Sequence, residues 1–514
     1  MTSRVLGLAR DQVLAYWFGA SDSMDAYLVA FRVPNLVRDL FAEGAMSAAL
    51  VPTFSRTLEL EGRERAWRLG NNIMTALVAV TATLVVGAVV FAPTLVYLLA
   101  GDFAEVPGKF ELTVLLTRIM APFLILVAMA AACMGMLNSL NVFFVPALAP
   151  AMFNIASIAV GIGLVPVAIA AGVQPILAIA YGTLVGGLGQ VALQWPSLRR
   201  AGFRLNPHLD LSDPGLRRVL MLMGPGIVGL AATQLNVFVN TIVATGEGTG
   251  AVSWLTYAFR VMYLPIGLFG VSIATATTPA MSRLAATNDR PRMRSTLASA
   301  ISLMLTLNVP ATLGLMVLAT PIVRLLLQRG QFTPADTVAT AAAVQLYALG
   351  LVGYSVVKIV SPTFYAMGRS RTPAAVGVAA VLLNATLSVA TAPAFGYKGL
   401  ALSASIASLF NAATLTWLAR RALGGLEFGR VLTTLVKTLL AAAAMAATAW
   451  GSMLVLETVV AGPSLAAQVV RLGGSIGLAI LVFGGGAQVL RIREFEEGRD
   501  AVLARLRRLT GRTR

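Results

Sequence analysis

Four arginines interrupt segments that are otherwise long and apolar enough to cross a bilayer: Arg10, Arg32, Arg38 and Arg260. A charged side chain at the centre of a spanning helix costs about 2.5–3.5 kcal/mol on insertion scales. Four of them oppose insertion by roughly 10 kcal/mol or more unless they face water, a partner charge or an anionic ligand. A chain that keeps them is expected to build a cationic chamber inside the membrane, and such a chamber suits something negative.

The composition supports the membrane setting. Of 514 residues, 57% are hydrophobic and only 12% charged, with a mean hydropathy of +0.80, whereas about a quarter of a soluble domain is charged. The 39 Lys and Arg outnumber the 22 Asp and Glu, for a formal charge of +17. A soluble protein that basic would suggest nucleic acid. Here topology accounts for the excess, and no nucleic-acid partner is expected. The single cysteine, Cys133, lies in an apolar run and reads as a buried structural thiol. The single histidine, His208, sits in a polar loop, which excludes a histidine-based metal site or catalytic pair. The first segment does not read as a cleavable signal, because Arg10 and Asp11 interrupt its apolar stretch. It starts three residues before Arg4, so the true start is expected a little upstream.

Apolar runs of spanning length give fourteen segments, roughly 4–20, 25–55, 71–100, 112–138, 143–165, 167–196, 215–244, 251–283, 293–327, 336–367, 373–394, 398–420, 430–457 and 467–490. The second contains Pro34 and is too long to be straight. The fold class expected is therefore an all-α polytopic membrane protein of about fourteen transmembrane helices. The even-numbered connections and the tail carry most of the positive charge, for example Arg63, Arg65 and Arg68 in the second and Arg199, Arg200 and Arg204 in the sixth. The odd ones hold only Lys109, Arg329 and Lys398. The positive-inside rule then puts both termini in the cytoplasm.

The chain also repeats itself. Ala30-Phe31-Arg32-Val33 recurs as Ala258-Phe259-Arg260-Val261, and Pro52-x-x-Ser55-Arg56 recurs as Pro279-x-x-Ser282-Arg283, at offsets of 228 and 227 residues. The offset covers six spans, an even number, so the copies share one orientation. They are expected to be lobes related by a pseudo-two-fold axis along the membrane normal with a central site between them. The domains that follow are an N-terminal lobe (1–205, spans one to six), a C-terminal lobe (206–425, spans seven to twelve), two further spans (426–490) and a basic tail (491–514).

On the second span Asp25, Arg32 and Asp39 are spaced by sevens and share one helix face, with Glu43 nearly on the same stripe. Arg10 and Asp11 are adjacent on the first span. Arg10 and Arg260 each lie roughly 14 Å below the outer end of their spans at 1.5 Å per residue, while Arg38 is deeper. Lys358, near Pro362, adds a cation in the second lobe. One reading makes these internal ion pairs that hold the lobes together, with Asp11, Asp25, Asp39 and Glu43 as partners. The other makes the surplus arginines a binding site, since the planar guanidinium fork engages phosphate bidentately. Asn236 and Asn240, with Asn384 and Ser388, read as helix–helix hydrogen-bonding groups rather than a cation site.

The N-terminal stretch Ser3-Arg4-Val5-Leu6-Gly7-x-x-Arg10-Asp11, then Asp25-Ala26, Ala30-Phe31-Arg32-Val33-Pro34-Asn35-Leu36-x-Arg38 and Phe41-Ala42-Glu43-Gly44-Ala45, resembles the MurJ/MviN family of bacterial lipid II flippases. That family lies within the multidrug/oligosaccharidyl-lipid/polysaccharide exporter superfamily. Later pieces resemble it too, notably Phe259-Arg260 leading to Pro265-x-Gly267-x-Phe269-Gly270 and Lys358-x-x-x-Pro362-x-Phe364. The resemblance implies a transporter and not an enzyme. It would carry lipid II, the undecaprenyl-diphosphate-linked disaccharide-pentapeptide of peptidoglycan synthesis, to the outer leaflet of the cytoplasmic (inner) membrane by alternating access. It further implies that Arg4, Arg10, Arg38 and Arg260 line the substrate site with Asp11 and Asp25 as acidic partners, and that spans thirteen and fourteen form a groove for the lipid tail. With Arg32, Glu43 and Lys358 added from the residue reading, these nine make up the expected substrate-binding set. No cofactor is expected. The coupling ion, proton or sodium, stays open, since Asn384 and Ser388 lack a neighbouring carboxylate. Beyond lipid II, the partners implied are the phospholipid bilayer and cell-wall synthesis machinery. The alternatives are a flippase for another polyprenyl-diphosphate-linked glycan such as an O-antigen unit, and a membrane-embedded enzyme acting on polyprenyl phosphates. The sole histidine and the sparse loop acids speak against the enzyme.

Overall fold

The computed structural model describes residues 2–40 and 46–500, and every regular element among them is helical. Among the described residues ten helices are long and apolar enough to cross a membrane, and a bent pair makes an eleventh. The remaining three of the fourteen expected segments coincide with α1 (Thr2–Phe18), α2 (Asp22–Leu40) and α9 (Pro214–Thr245). The first two are helical but dilute their apolar character with the charges discussed above. Large side chains left exposed along the helices, such as Val86, Ile162, Leu382, Trp450 and Leu481, are what a lipid-facing surface requires.

Several expected spans are helices broken at identifiable residues. The long α3 (Met46–Val90) changes direction at Gly62, whose φ of 84° lies in the left-handed region open to glycine. That break separates the end of the second span from the third. α4 (Ala92–Ala100) and a 3₁₀ turn (Gly101–Glu105) lead to α5 (Lys109–Met120) and α6 (Phe123–Ser139), which divide the fourth span at Pro122. α7 (Phe144–Ala170) and α8 (Pro175–Arg200) follow. The eighth span runs through α10 (Ala251–Pro265), a π-helical turn (Ile266–Gly270) and α11 (Val271–Ala286). α12 (Arg290–Leu327) precedes α13 (Pro334–Leu349) and α14 (Leu351–Ala366), bent by 41° at Gly350. The bend is held from α16 (Tyr397–Leu423). Ser405 Oγ donates to the Leu346 carbonyl at 2.6 Å, and Ser408 Oγ donates to the Gly350 carbonyl at 2.9 Å. α15 (Arg371–Phe395), α17 (Phe428–Val459) and α18 (Leu465–Val489) complete the set.

By packing, the chain forms two compact units: residues 1–253 with 329–333, and residues 254–328 with 334–514. In the first, α3, α6 and the start of α9 share a core of Leu50, Phe54, Leu69, Met136, Leu216 and Val219. The sequence repeat sets the expected boundary at 205/206, yet α9 packs with the first unit because its opening turns bury Leu216, Val219 and Met223 in that core. Residues 329–333 join the same unit, where Gln331 N–H donates to the Tyr16 carbonyl at 2.9 Å near the end of α1. In the second, α12, α14, α16 and α17 enclose Leu297, Met304, Ile359, Phe364, Leu415 and Ala442.

Candidate functional site

In the first unit Arg10 rests on an aromatic floor. Phe31 of α2 stacks on Tyr27 and on Phe153 of α7, with ring centroids 6.0 and 5.7 Å apart, and Phe123 of α6 tilts against both phenylalanines. The Arg10 guanidinium lies over the Phe153 ring, 5.3 Å from its centroid, an attractive arrangement for a cation on a π face. Arg10 is buried, and its Nη2 donates to Asp11 Oδ1 at 3.0 Å. Neighbouring residues on a helix diverge by about 100°, so the long arginine must fold back to reach its neighbour, which fixes the direction of its fork. For Arg10 the structure thus places the two members of the expected pair together.

Directly after Phe31 comes Arg32, which is half-buried and lines a small cavity of about 50 Å³ with Asn35, Gln234 and Thr241. Arg38 is half-buried at the end of α2. Arg4 lies in the first turn of α1, but its side chain is outside the described residues, as is that of Asp39; Glu43 lies wholly outside them.

Asp25 is drawn elsewhere, by a residue that sequence reasoning assigned to an outer loop. Lys109, the first residue of α5, is buried; its Nζ sits 3.2 Å from Asp25 Oδ2 and 2.7 Å from Asp22 Oδ1. The Phe103 ring covers the ammonium at 4.1 Å. Asp25 also accepts from the Gly250 N–H at 2.7 Å and from the Ser253 N–H and Oγ at 3.0 and 2.7 Å. Four donors fill the acceptor positions of a carboxylate, and two are backbone N–H groups at the start of α10, where negative charge is favoured. Asp25 is therefore a clamp joining α2, α5 and the 250–253 turn. The signal available beforehand was the pair Asp22 and Asp25 in the first turn of α2, acidic with no base nearby in that helix.

The second unit repeats the plan with different residues. Phe259, the counterpart of Phe31, meets Tyr263, Tyr347 and Tyr354 at centroid distances of 5.8, 5.5 and 6.1 Å. Lys358 Nζ lies 5.7 Å from the Tyr263 centroid, on the rim of this cluster. Arg260 is half-buried on α10, about a turn and a half before the π-helical segment; such segments widen a helix and recur at functional sites. Asn384 and Ser388 are buried within α15, and Asn236 and Asn240 are half-buried on α9.

Broken spanning helices, charged groups set among aromatics and two units that reuse one motif define a polytopic membrane transporter. An inward-facing multidrug resistance MATE family transporter of the MOP superfamily shares the fold, with a TM-score of 0.69 at 15% identity over 82% of this chain and 94% of its own. A solved lipid II flippase MurJ in an inward closed conformation covers 95% of this chain and 96% of its own, with a TM-score of 0.77 at 25% identity. The family model described as Lipid II flippase MurJ matches residues 14–469. The protein named probable lipid II flippase MurJ from Rhizobium meliloti (strain 1021) is 34% identical over 511 residues, 96% of this chain and 93% of its own. The lipid II flippase MurJ of Burkholderia cenocepacia is 33% identical over 419 residues, 81% of this chain and 80% of its own. The chain belongs to the lipid II flippase MurJ family. That makes it a transporter of the bacterial inner membrane and not an enzyme.

Proposed function

We propose that this protein moves lipid II from the inner to the outer leaflet by alternating access, and that its arginines bind the diphosphate. The observation that carries this reading is the retention of half-buried arginines at equivalent places in the two copies of the motif, Arg32 and Arg260, in a chain of the flippase family. A guanidinium presents a flat two-toothed fork to phosphate oxygens, and a diphosphate has oxygens enough for several. Arg38 and Arg260 take the phosphates, with Arg32 and Lys358 adding positive potential. Arg10, steadied by Asp11 and Phe153, is a preoriented contact. Arg4 joins the set by family resemblance, and Asp25 serves by clamping helices.

Both termini face the cytoplasm in this reading, because the even-numbered connections carry the arginines. The two lobes expected from the repeat are the moving parts, with the opening turns of α9 belonging by their packing to the first, and α17 and α18, with their apolar outer faces, accompany the polyprenyl tail. Family membership favours lipid II over other polyprenyl-linked glycans. The deciding experiment follows labelled lipid II by its accessibility at the outer face of cells or vesicles, comparing the intact protein with an Arg260→Ala form matched for expression. Equal appearance of lipid II outside with both forms overturns the proposal.

A further inference from the structure

Between α8 and α9 the chain runs along α3 as a strap of strictly alternating composition. Arg204, Asn206, His208 and Asp210 are polar, whereas Leu205, Pro207, Leu209 and Leu211 are apolar. Period-two alternation gives an extended segment two unlike faces. α3 grips its backbone at every second residue. Asn71 Nδ2 donates to the Arg204 carbonyl at 3.0 Å, and the Asn206 N–H donates to Asn71 Oδ1 at 2.9 Å. The His208 N–H reaches Thr75 Oγ1 at 3.2 Å, and Asp210 exchanges two 2.9 Å bonds with the Asn72 amide. Both ends are fixed too. Phe203 is buried beneath Trp67 and Trp195, and Asp213 is held 2.7 Å from Arg65 while capping α9.

A segment held this firmly could turn its leucines inward, yet Leu205, Leu209 and Leu211 are 51%, 48% and 63% exposed. The same strap, through Arg204, Asn206, Pro207 and His208, walls an open groove of about 530 Å³ with Arg68 and Trp67, and Glu64 is the only carboxylate among its lining residues. Glu64 is almost fully exposed and 3.6 Å from Arg68, a surface pair that neutralises little.

We propose that strap and groove together bind an anionic phospholipid at the membrane surface. The leucines enter the outer part of the acyl region, and Arg68 and Arg204 take the phosphodiester. A soluble phosphate would use the arginines and leave the leucines in water; only a lipid satisfies both faces. Basic clusters beside spanning helices attract anionic headgroups, partly inserted apolar side chains supply the rest, and the Trp67 indole suits that depth. None of the arginines assigned to the cargo takes part, so this proposal stands or falls separately from the flippase reading.

The test uses the full-length chain in detergent, with phosphatidylglycerol, phosphatidylcholine or glycerol 3-phosphate added and bound lipid counted by native mass spectrometry. Phosphatidylglycerol is expected to be retained in preference to phosphatidylcholine and to resist displacement by glycerol 3-phosphate. Arg68→Gln with Arg204→Gln should weaken its binding by about tenfold or more. Leu205→Ser with Leu209→Ser should weaken it independently of charge. All four side chains are exposed, and an unchanged melting midpoint without lipid confirms folding. Equal retention of phosphatidylcholine, displacement by glycerol 3-phosphate, or undiminished binding by either double variant overturns the proposal.

Discussion

The Lys109 ammonium lies 3.2 Å from the Asp25 carboxylate, with both side chains almost wholly removed from solvent. Removing one member of such a pair strands the other, and stranded buried charges cost about 3–5 kcal/mol. Lys109→Met should therefore lower the melting midpoint of the purified protein by far more than a typical surface substitution. Adding Asp25→Asn to Lys109→Met should recover part of the loss, since a neutral amide needs no cation. Two independent, additive effects in that thermal double-mutant cycle would show that the contact carries no coupling energy.

Arg260 calls for a graded test. If its role is bidentate recognition, Arg260→Lys keeps the charge and loses the fork, so transport should fall between the intact protein and Arg260→Gln. A hydrogen bond to a charged group contributes about 1.5–3 kcal/mol, so Arg260→Gln should cost tenfold or more in the rate at which labelled lipid II becomes accessible outside. Lysine and arginine forms of equal rate would reduce the side chain to a point charge and remove the recognition argument.

Spans were legible because hydropathy and helix length are local properties. The segments read from the chain fall on helices, eleven of them of spanning length and hydropathy among the described residues when the bent pair is counted once, and Pro34, read as a bend, lies within α2. The breaks were less legible. Gly62 sits in what reads as a connection, and the π-helical turn after Pro265 has no signature distinct from any glycine-containing apolar run. Long-range pairing was the hardest. Lys109 looks like an outer-loop cation until its partners, 84 and 87 residues earlier in the chain, are brought to it. Asp25 was paired by helix periodicity with Arg32, but an i+7 spacing guarantees a shared face and not a contact. Arg10 with Asp11 was readable because the two are adjacent.

The bend between α13 and α14 depends on a close approach. A Cβ added at Gly353 would lie 2.7 Å from the Ser408 backbone carbonyl, and overfilling a packed contact costs about 1–3 kcal/mol. Gly353→Ala should lower the melting midpoint. It should also slow transport if α14 must keep its present seat on α16 while carrying Lys358. Gly377, whose added Cβ would meet nothing within 4 Å, supplies the control: Gly377→Ala should leave both measurements close to those of the intact protein.

Energetics give the last prediction. If the diphosphate crosses with about two negative charges, outward movement against an inside-negative potential is favoured by about 4–5 kcal/mol per 100 mV, at about 2.3 kcal/mol per charge. That is enough to drive accumulation on the outer face without a nucleotide-binding motif, and the sequence shows none. Dissipating the potential with an ionophore at constant pH gradient should then slow the appearance of labelled lipid II outside. The effect depends on net charge moved, not on charge bound. Were the arginines to travel with the diphosphate and cancel it, the rate would hardly respond. A response that is steep in the intact protein therefore means the cations stay behind while the cargo moves. Transport indifferent to the potential would mean either a neutralised cargo or another source of energy, and the electrogenic step would have to be abandoned.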